Sequence, residues 1–253
     1  MNIFLLLIIF FLAQVLASCL AIVLGYFVPT ITPTPGLACN VEVLCYSMLL
    51  VDLLIIFLLP KFRLVRKDDM SSLKERGTQG MLLTVVATVL MSLGISFLVE
   101  PFGLDDGGTD QLFEAMVSAD LLASGLLLVF IGPLLEELIF REGLLRELLV
   151  RYKLSPMLSV LICSVTFGVV HGNVMQAIPS VLLGIMLGVM YIVSGDIRLS
   201  LLAHVVNNGL AFLLMLLPEW TPLSVFPTPV VIGMGALLCA LGYLPIKKLI
   251  QLS

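Results

Sequence analysis

The chain has 253 residues, of which 60% are hydrophobic and only 12% charged, with a mean hydropathy of +1.17. That balance excludes a soluble globular domain, where about a quarter of residues are charged, and no polar stretch is long enough to build one. The formal charge of -4 says little about partners, but the hydrophobicity makes the lipid bilayer the expected partner, with no nucleic acid, and the expected fold all-α, one polytopic helical bundle over 1–253.

Apolar runs of spanning length need about 17 to 25 residues, and eight candidates occur in chain order. They lie near Ile3 to Val28, Val41 to Leu59, Gly80 to Val99, Asp120 to Phe140 and beyond, Met157 to His171, Val174 to Val193, Leu199 to Leu217, and Val230 to Leu244. Leu16-Ala17-Ser18-Cys19 resembles a lipoprotein cleavage box. No Lys or Arg precedes it and the apolar run continues past it, so an uncleaved first span is expected.

Pro29, Pro33, Pro35 and Gly36 break the chain after the first span, and Gly103, Gly107 and Gly108 loosen an acidic outer loop containing Glu100, Asp105, Asp106, Asp110 and Glu114. With the amino terminus inside, all 13 Lys and Arg residues fall on or near the inner side. The positive-inside rule then places both termini in the cytoplasm. The loop-poor build suggests a bacterial cytoplasmic membrane.

The five cysteines are scattered, four in spans and Cys39 in the Pro-rich segment, which suggests neither a disulfide framework nor a metal cluster. Gly184 and Gly188 would let a neighbouring helix approach closely. Tyr191, Trp220 and Tyr243, near span ends, read as interfacial anchors.

Polar groups interrupt three of the apolar segments. The fourth span contains Glu136, Glu137 and Arg141, and the only two histidines, His171 and His204, stand in the motifs Phe167-x-x-x-His171 and His204-x-x-x-Asn208. Titratable groups at such positions are costly and face a wet cavity or each other, so they mark a working site. Helical spacing pairs Glu137 with Arg141, Phe167 with His171, and His204 with Asn208, and turns Glu136 about 100° away from Glu137.

If Arg151 and Pro156 mark the inner interface, Glu136 and His171 each lie fifteen residues from it, roughly 22 Å along their helices, and can meet. His204 is six residues past Arg198, about 9 Å by helix rise. Either that segment dips into the bundle or the cavity runs obliquely. Asp52, the other intramembrane charge, could line the cavity or make a structural hydrogen bond. Asn173 and Gln176 read as satisfying backbone groups at a helix end.

Glu-Glu-x-x-x-Arg, Phe-x-x-x-His and His-x-x-x-Asn on separate apolar segments resemble the CPBP family of intramembrane endopeptidases, also called the Abi or CAAX-processing family. The motif-bearing core runs from about 119 to 217, and the chain departs from the family only in having Glu142 where many members place a glycine, with Gly143 following. The resemblance implies a glutamate-dependent peptide hydrolase acting on a membrane-associated protein or peptide. Glu136, aided by His171, would activate water, and His204 and Asn208 would stabilise the oxyanion. Glu137 and Arg141 would support the site, with Phe167 beside the imidazole.

Eukaryotic relatives trim prenylated C-a-a-X proteins, and bacterial relatives are linked to peptide maturation and bacteriocin immunity. Amide hydrolysis needs an activated nucleophile, oxyanion stabilisation and a proton for the leaving amine, which this residue set can supply. No cofactor is implied.

Three other readings stand beside this one. Glu136, His171 and His204 could form a one-carboxylate, two-histidine zinc set, although the His-Glu-x-x-His helix is absent. The same groups could line an ion pathway, although neither inverted repeats nor paired broken helices are visible. A non-catalytic scaffold or immunity protein could retain them as a buried polar network.

Overall fold

The fold comes from a computed structural model that describes residues 3–25, 40–59, 77–104, 108–195, 197–217 and 225–252. Cys39, Asp105, Asp106, Trp220, the Pro-rich segment after the first span and the inner basic segment around 61 to 76 lie outside the described residues.

Among the described residues nine helices follow one another: α1 (Ile3–Gly25), α2 (Val41–Leu58), α3 (Gly77–Val99), α4 (Thr109–Ala119), α5 (Leu121–Val150), α6 (Pro156–Val169), α7 (Val174–Ser194), α8 (Ile197–Met215) and α9 (Thr228–Gln251). All but α4 and α6 are long and apolar enough to cross a membrane, so seven candidate spans confirm a polytopic helical membrane protein. The expected fifth span is the exception. With 14 residues, α6 rises only about 21 Å, short of a hydrocarbon core of about 30 Å.

Its C-terminal limit has a local cause. Gly172 takes the left-handed conformation at φ 78°, and the Asn173 side chain caps α7 by accepting from the Gln176 N–H at 2.8 Å, as expected of Asn173. Counted from the Ser155 cap of α6, the turn carrying His171 lies at membrane depth, where irregular backbone is tolerated only if protein or a cavity covers it.

Part of that cover is α4, which sequence reading left as loop. Leu112, Phe113 and Met116 give it an apolar face that packs on Val41 and Cys45 of α2, and its Thr109 hydroxyl accepts from Asn173 Nδ2 at 3.1 Å. Asp120 then caps α5 through the Leu122 and Ala123 N–H groups, at 3.0 and 2.9 Å. Just outside the span, the Ala123 N–H, and after it the Tyr46 hydroxyl, hold the Asp120 carboxyl below its ordinary range.

Water-driven burial does not operate between helices in lipid, so close approach of small residues carries the packing. Ala13 and Ala17 of α1 meet Val51 of α2. In the α6/α7 hairpin Gly184 lies against Ser164 and Gly188 against Val160. The Gly184/Gly188 pair therefore serves packing within the chain.

Another close approach is α3 against α9, running antiparallel. A Cβ at Gly94 would stand 2.9 Å from both the Gly235 carbonyl oxygen and the Cys239 amide nitrogen. Gly94→Val, which must push backbone from backbone, lowers stability by about 1–3 kcal/mol. Gly233→Ala, where a Cβ meets nothing within 4 Å, is near neutral. Thermal unfolding of the two purified variants in detergent checks the contrast.

The longest helix, α5, is not uniform. Residues Leu126–Ile131 and Leu138–Leu145 are π-helical, a geometry that adds a residue to each turn and is concentrated at functional sites. The second stretch begins immediately after Glu137 and includes Arg141, Glu142 and Gly143.

Candidate active site

Polar side chains from α5 and α8 converge inside the bundle. Glu137 and Arg141 are each completely buried, with Glu137 Oε1 3.3 Å from Arg141 Nη1. The spacing-based pair therefore forms, and Arg141 does not simply end a span at the membrane surface. Its Nη2 donates to the Gly184 carbonyl at 3.4 Å, and its guanidinium lies 4.8 Å from the centre of the Phe167 ring. Arg141 thus ties α5 to α6 and α7.

His204 sits between two carboxylates. Its Nδ1 is 2.9 Å from Glu137 Oε1, and its Nε2 is 3.4 Å from Glu136 Oε2. Glu137 is sealed, whereas 23% of the Glu136 side chain is exposed, so of the two carboxylates Glu136 is the reachable one. A carboxylate on Nδ1 fixes the ring's orientation and directs Nε2 to the open side of the cluster, the role such second partners play for reactive imidazoles.

The contact brings His204 to Glu136 despite its shorter count from Arg198, and π-helical geometry accounts for part of the difference. The estimate for Glu136 counted α-helical rise back from Arg151, but eight of the intervening residues are π-helical and advance less per residue. Glu136 consequently lies nearer the α8 entry than a uniform α-helix would put it.

Phe167, 1% exposed, is the wedge that relates the two histidines. Its ring meets His171 edge-on at 5.0 Å and His204 edge-on at 5.7 Å between centroids. The predicted packing of Phe167 beside His171 is therefore present. His171 Nδ1 is 2.8 Å from the Phe167 carbonyl oxygen. A carbonyl only accepts, so the proton of the neutral ring sits on Nδ1 and the Nε2 lone pair is left available. The imidazole in direct contact with Glu136 is His204.

Asn208 donates through Nδ2 to the Leu128 carbonyl at 2.9 Å and accepts from Asn207 Nδ2 at 3.0 Å. An amide nitrogen carries two protons, so one N–H of Asn208 is not used by these bonds. Asn207 in turn accepts from Ser92 of α3 at 2.7 Å. Sequence reading passed over both Asn207 and Ser92. The available signal was the doubled amide in His204-Val205-Val206-Asn207-Asn208.

The displaced glycine also has a structural counterpart. Glu142 is buried, accepting from Tyr191 at 3.1 Å and from Arg146 at 3.0 Å. Its position inside a π-helical stretch fits a one-residue shift of the following glycine. Tyr191, expected at the interface, is instead only 6% exposed because its hydroxyl finds this carboxylate. Tyr243 is exposed, in keeping with a peripheral anchor.

Asp52 is buried on α2 within electrostatic range of Glu136. Its Oδ1 has no hydrogen-bond partner, so this oxygen makes no structural hydrogen bond to a neighbouring helix. Among the described cysteines, Cys45 and Cys163 are buried packing residues, whereas Cys19 is exposed and Cys239 half-buried.

Among the described residues no three His, Cys, Asp or Glu side chains are grouped so as to hold a metal ion. The candidate zinc set Glu136, His171 and His204 is thus not assembled in this arrangement.

Fold and site together define a polytopic helical membrane protein with a carboxylate, imidazole and guanidinium cluster enclosed by its bundle. Residues 118–210 match the family model described as type II CAAX prenyl endopeptidase Rce1-like. The match spans well under half of the chain, and that segment is similar to an Rce1-like endopeptidase domain. It contains all seven motif residues, from Glu136 to Asn208, and leaves Asp52 and Ser92 outside. No curated protein and no solved structure matches the chain.

Proposed function

We infer that this chain is an intramembrane endopeptidase that hydrolyses a peptide bond in a membrane-associated protein or peptide. The observation that supports this most is His204 held between a sealed and a reachable carboxylate, Glu137 and Glu136.

In this reading Glu136 takes a proton from water while the water oxygen bonds to the scissile carbonyl carbon, and His171 Nε2 orients that water by accepting its second proton in a hydrogen bond. The carbonyl oxygen becomes an oxyanion and receives hydrogen bonds from the Nε2–H of His204 in its imidazolium form, whose Nδ1–H is held by Glu137, and from the remaining N–H of Asn208. The carbon–nitrogen bond then breaks as Glu136 passes its proton to the departing amine. A carboxylic acid and an amine leave, and the Glu136 carboxylate is restored. Glu137 holds His204 in register, and Arg141 balances the charge of Glu137. No step is routed through a metal.

The test uses purified protein in liposomes with a farnesylated C-a-a-X peptide, the substrate class that the family name suggests, and a panel of unprenylated membrane peptides. Cleavage by the wild type and its loss in Glu136→Ala and His171→Ala support the reading. Undiminished cleavage in both variants overturns the site assignment. Zinc analysis and chelator sensitivity of the same preparation test the metal-dependent alternative, and loss of activity with Glu136→Gln at unchanged expression counts against a scaffold.

The proposed setting is a bacterial cytoplasmic membrane with both termini inside. It rests on the placement of Lys and Arg on one side. A reporter active only outside the cytoplasm should stay silent when fused after Ser253. A strong signal would reverse the orientation.

A further inference from the structure

Asn208 is the third member of an ordered chain of side-chain hydrogen bonds that begins on α3, outside the family-matched segment. The Ser92 hydroxyl donates to Asn207 Oδ1 at 2.7 Å, Asn207 Nδ2 donates to Asn208 Oδ1 at 3.0 Å, and Asn208 Nδ2 donates to the Leu128 carbonyl at 2.9 Å.

The direction of this chain follows from chemistry alone. Amide oxygen and nitrogen are hard to distinguish by shape, and their assignment normally depends on the surrounding network. Here the last acceptor is a backbone carbonyl, which can only accept. Asn208 must present its nitrogen to it and its oxygen to Asn207, Asn207 must donate in turn, and its oxygen is then left for a donor. The Ser92 hydroxyl fills that place.

We propose that Ser92 and Asn207 are positioning residues that lock and polarise the Asn208 amide, so that its unused N–H serves as a stronger and fixed donor to the substrate oxyanion. The proposal rests on the endopeptidase reading for the identity of that oxyanion. Its geometric part, the lock on Asn208, stands without it.

Two physical effects are combined. Bonds arranged head to tail polarise one another, by perhaps 10–30% per bond, and each donation into the Asn208 oxygen draws electron density from its nitrogen. The second effect is rigidity. An oxyanion donor acts in full only when it needs no reorganisation as charge develops. Leu128 lies in the first π-helical stretch of α5, so the chain ends at the helix that carries Glu136.

The fold braces the origin of the chain. Next to Ser92, Met91 packs on Gly242, and two residues further on Gly94 is in backbone contact with Gly235 of α9. Thus α9, which supplies no motif residue, holds α3 at the position from which Ser92 reaches α8.

Kinetics on the farnesylated peptide and side-chain amide NMR of protein labelled with 15N-asparagine test the idea together. Ser92→Ala should lower kcat about three- to tenfold with KM changed less than about twofold, a fraction of the loss expected for a whole oxyanion donor. Ser92→Thr, which keeps the hydroxyl, should restore most of the rate. Ser92→Ala combined with Asn208→Ala should be no slower than Asn208→Ala alone, because Ser92 acts through Asn208.

The Asn208 amide signals should move in Ser92→Ala and return in Ser92→Thr. Signals that stay fixed in Ser92→Ala overturn the relay, as does a rate loss additive with that of Asn208→Ala. A wild type that cleaves no peptide, with Asn208 signals still responding to Ser92→Ala, removes the endopeptidase reading and keeps the lock.

Discussion

Glu136→Gln is expected to lower kcat by about 10²- to 10⁴-fold, the usual contribution of a positioned general base, while KM for a membrane peptide and the unfolding temperature change little. Glutamine keeps the size of the side chain and a carbonyl oxygen beside His204 Nε2, so the packing around a partly exposed residue is preserved. What it lacks is the ability to take a proton at neutral pH. An interaction needed only as the transition state forms lowers kcat and kcat/KM together. Steady-state kinetics and thermal unfolding on the same preparation check this, and a variant with near-wild-type kcat would remove Glu136 from the role of base.

Arg141→Met is expected to destabilise the fold by about 3–5 kcal/mol, because it leaves a completely buried carboxylate without its cation. Glu137 would keep the Nδ1 contact of His204 but lose the arginine paired with it, and its Oε2 already has no hydrogen-bond partner among the described residues. The guanidinium's contacts with the Phe167 face and the Gly184 carbonyl would go as well.

Lysine is no substitute, since a point charge cannot stack on a ring and reach two acceptors as a planar fork does. Removing both partners, in Glu137→Leu with Arg141→Met, should recover much of the stability, as apolar replacement of a buried pair often does. Activity should not return, because His204 has then lost the carboxylate that orients it. Thermal unfolding followed by circular dichroism, with a cleavage assay, separates the outcomes. A double variant as unstable as Arg141→Met would contradict the uncompensated-charge explanation.

The parts of the site that were legible in the sequence are those governed by local helical spacing. Glu137 with Arg141 and Phe167 with His171 are separated by four residues, and each pair meets even though Arg141 lies in a π-helical stretch and His171 just past the end of α6. Spacing projected over long distances decides less, and part of α5 is π-helical rather than uniform α-helix. For His204 the count from Arg198 leaves a dipping segment and an oblique cavity both open, and the structure brings it to Glu136. Tyr191 looked interfacial by its place near a span end, but a carboxylate on another helix draws it inside. Ser92 carried no signal, since a lone serine in an apolar span is ordinary and its partner is 115 positions away.

Apolar run length and the depletion of charge fixed a helical membrane bundle, because lipid leaves backbone polar groups no partner except within the helix. The rarity of titratable groups in those runs singled out Glu136, Glu137, Arg141, His171 and His204, for the energetic reason that such groups persist in lipid only when they are paired or used. Which carboxylate is sealed and which is open, and which imidazole touches it, were decided by the tertiary structure. So was the contribution of α3 and α9 to a cluster carried by α5 and α8. Those outcomes depend on where helices approach through Gly94, Gly184 and Gly235 and where π turns shift the register, and both are properties of packing between distant segments.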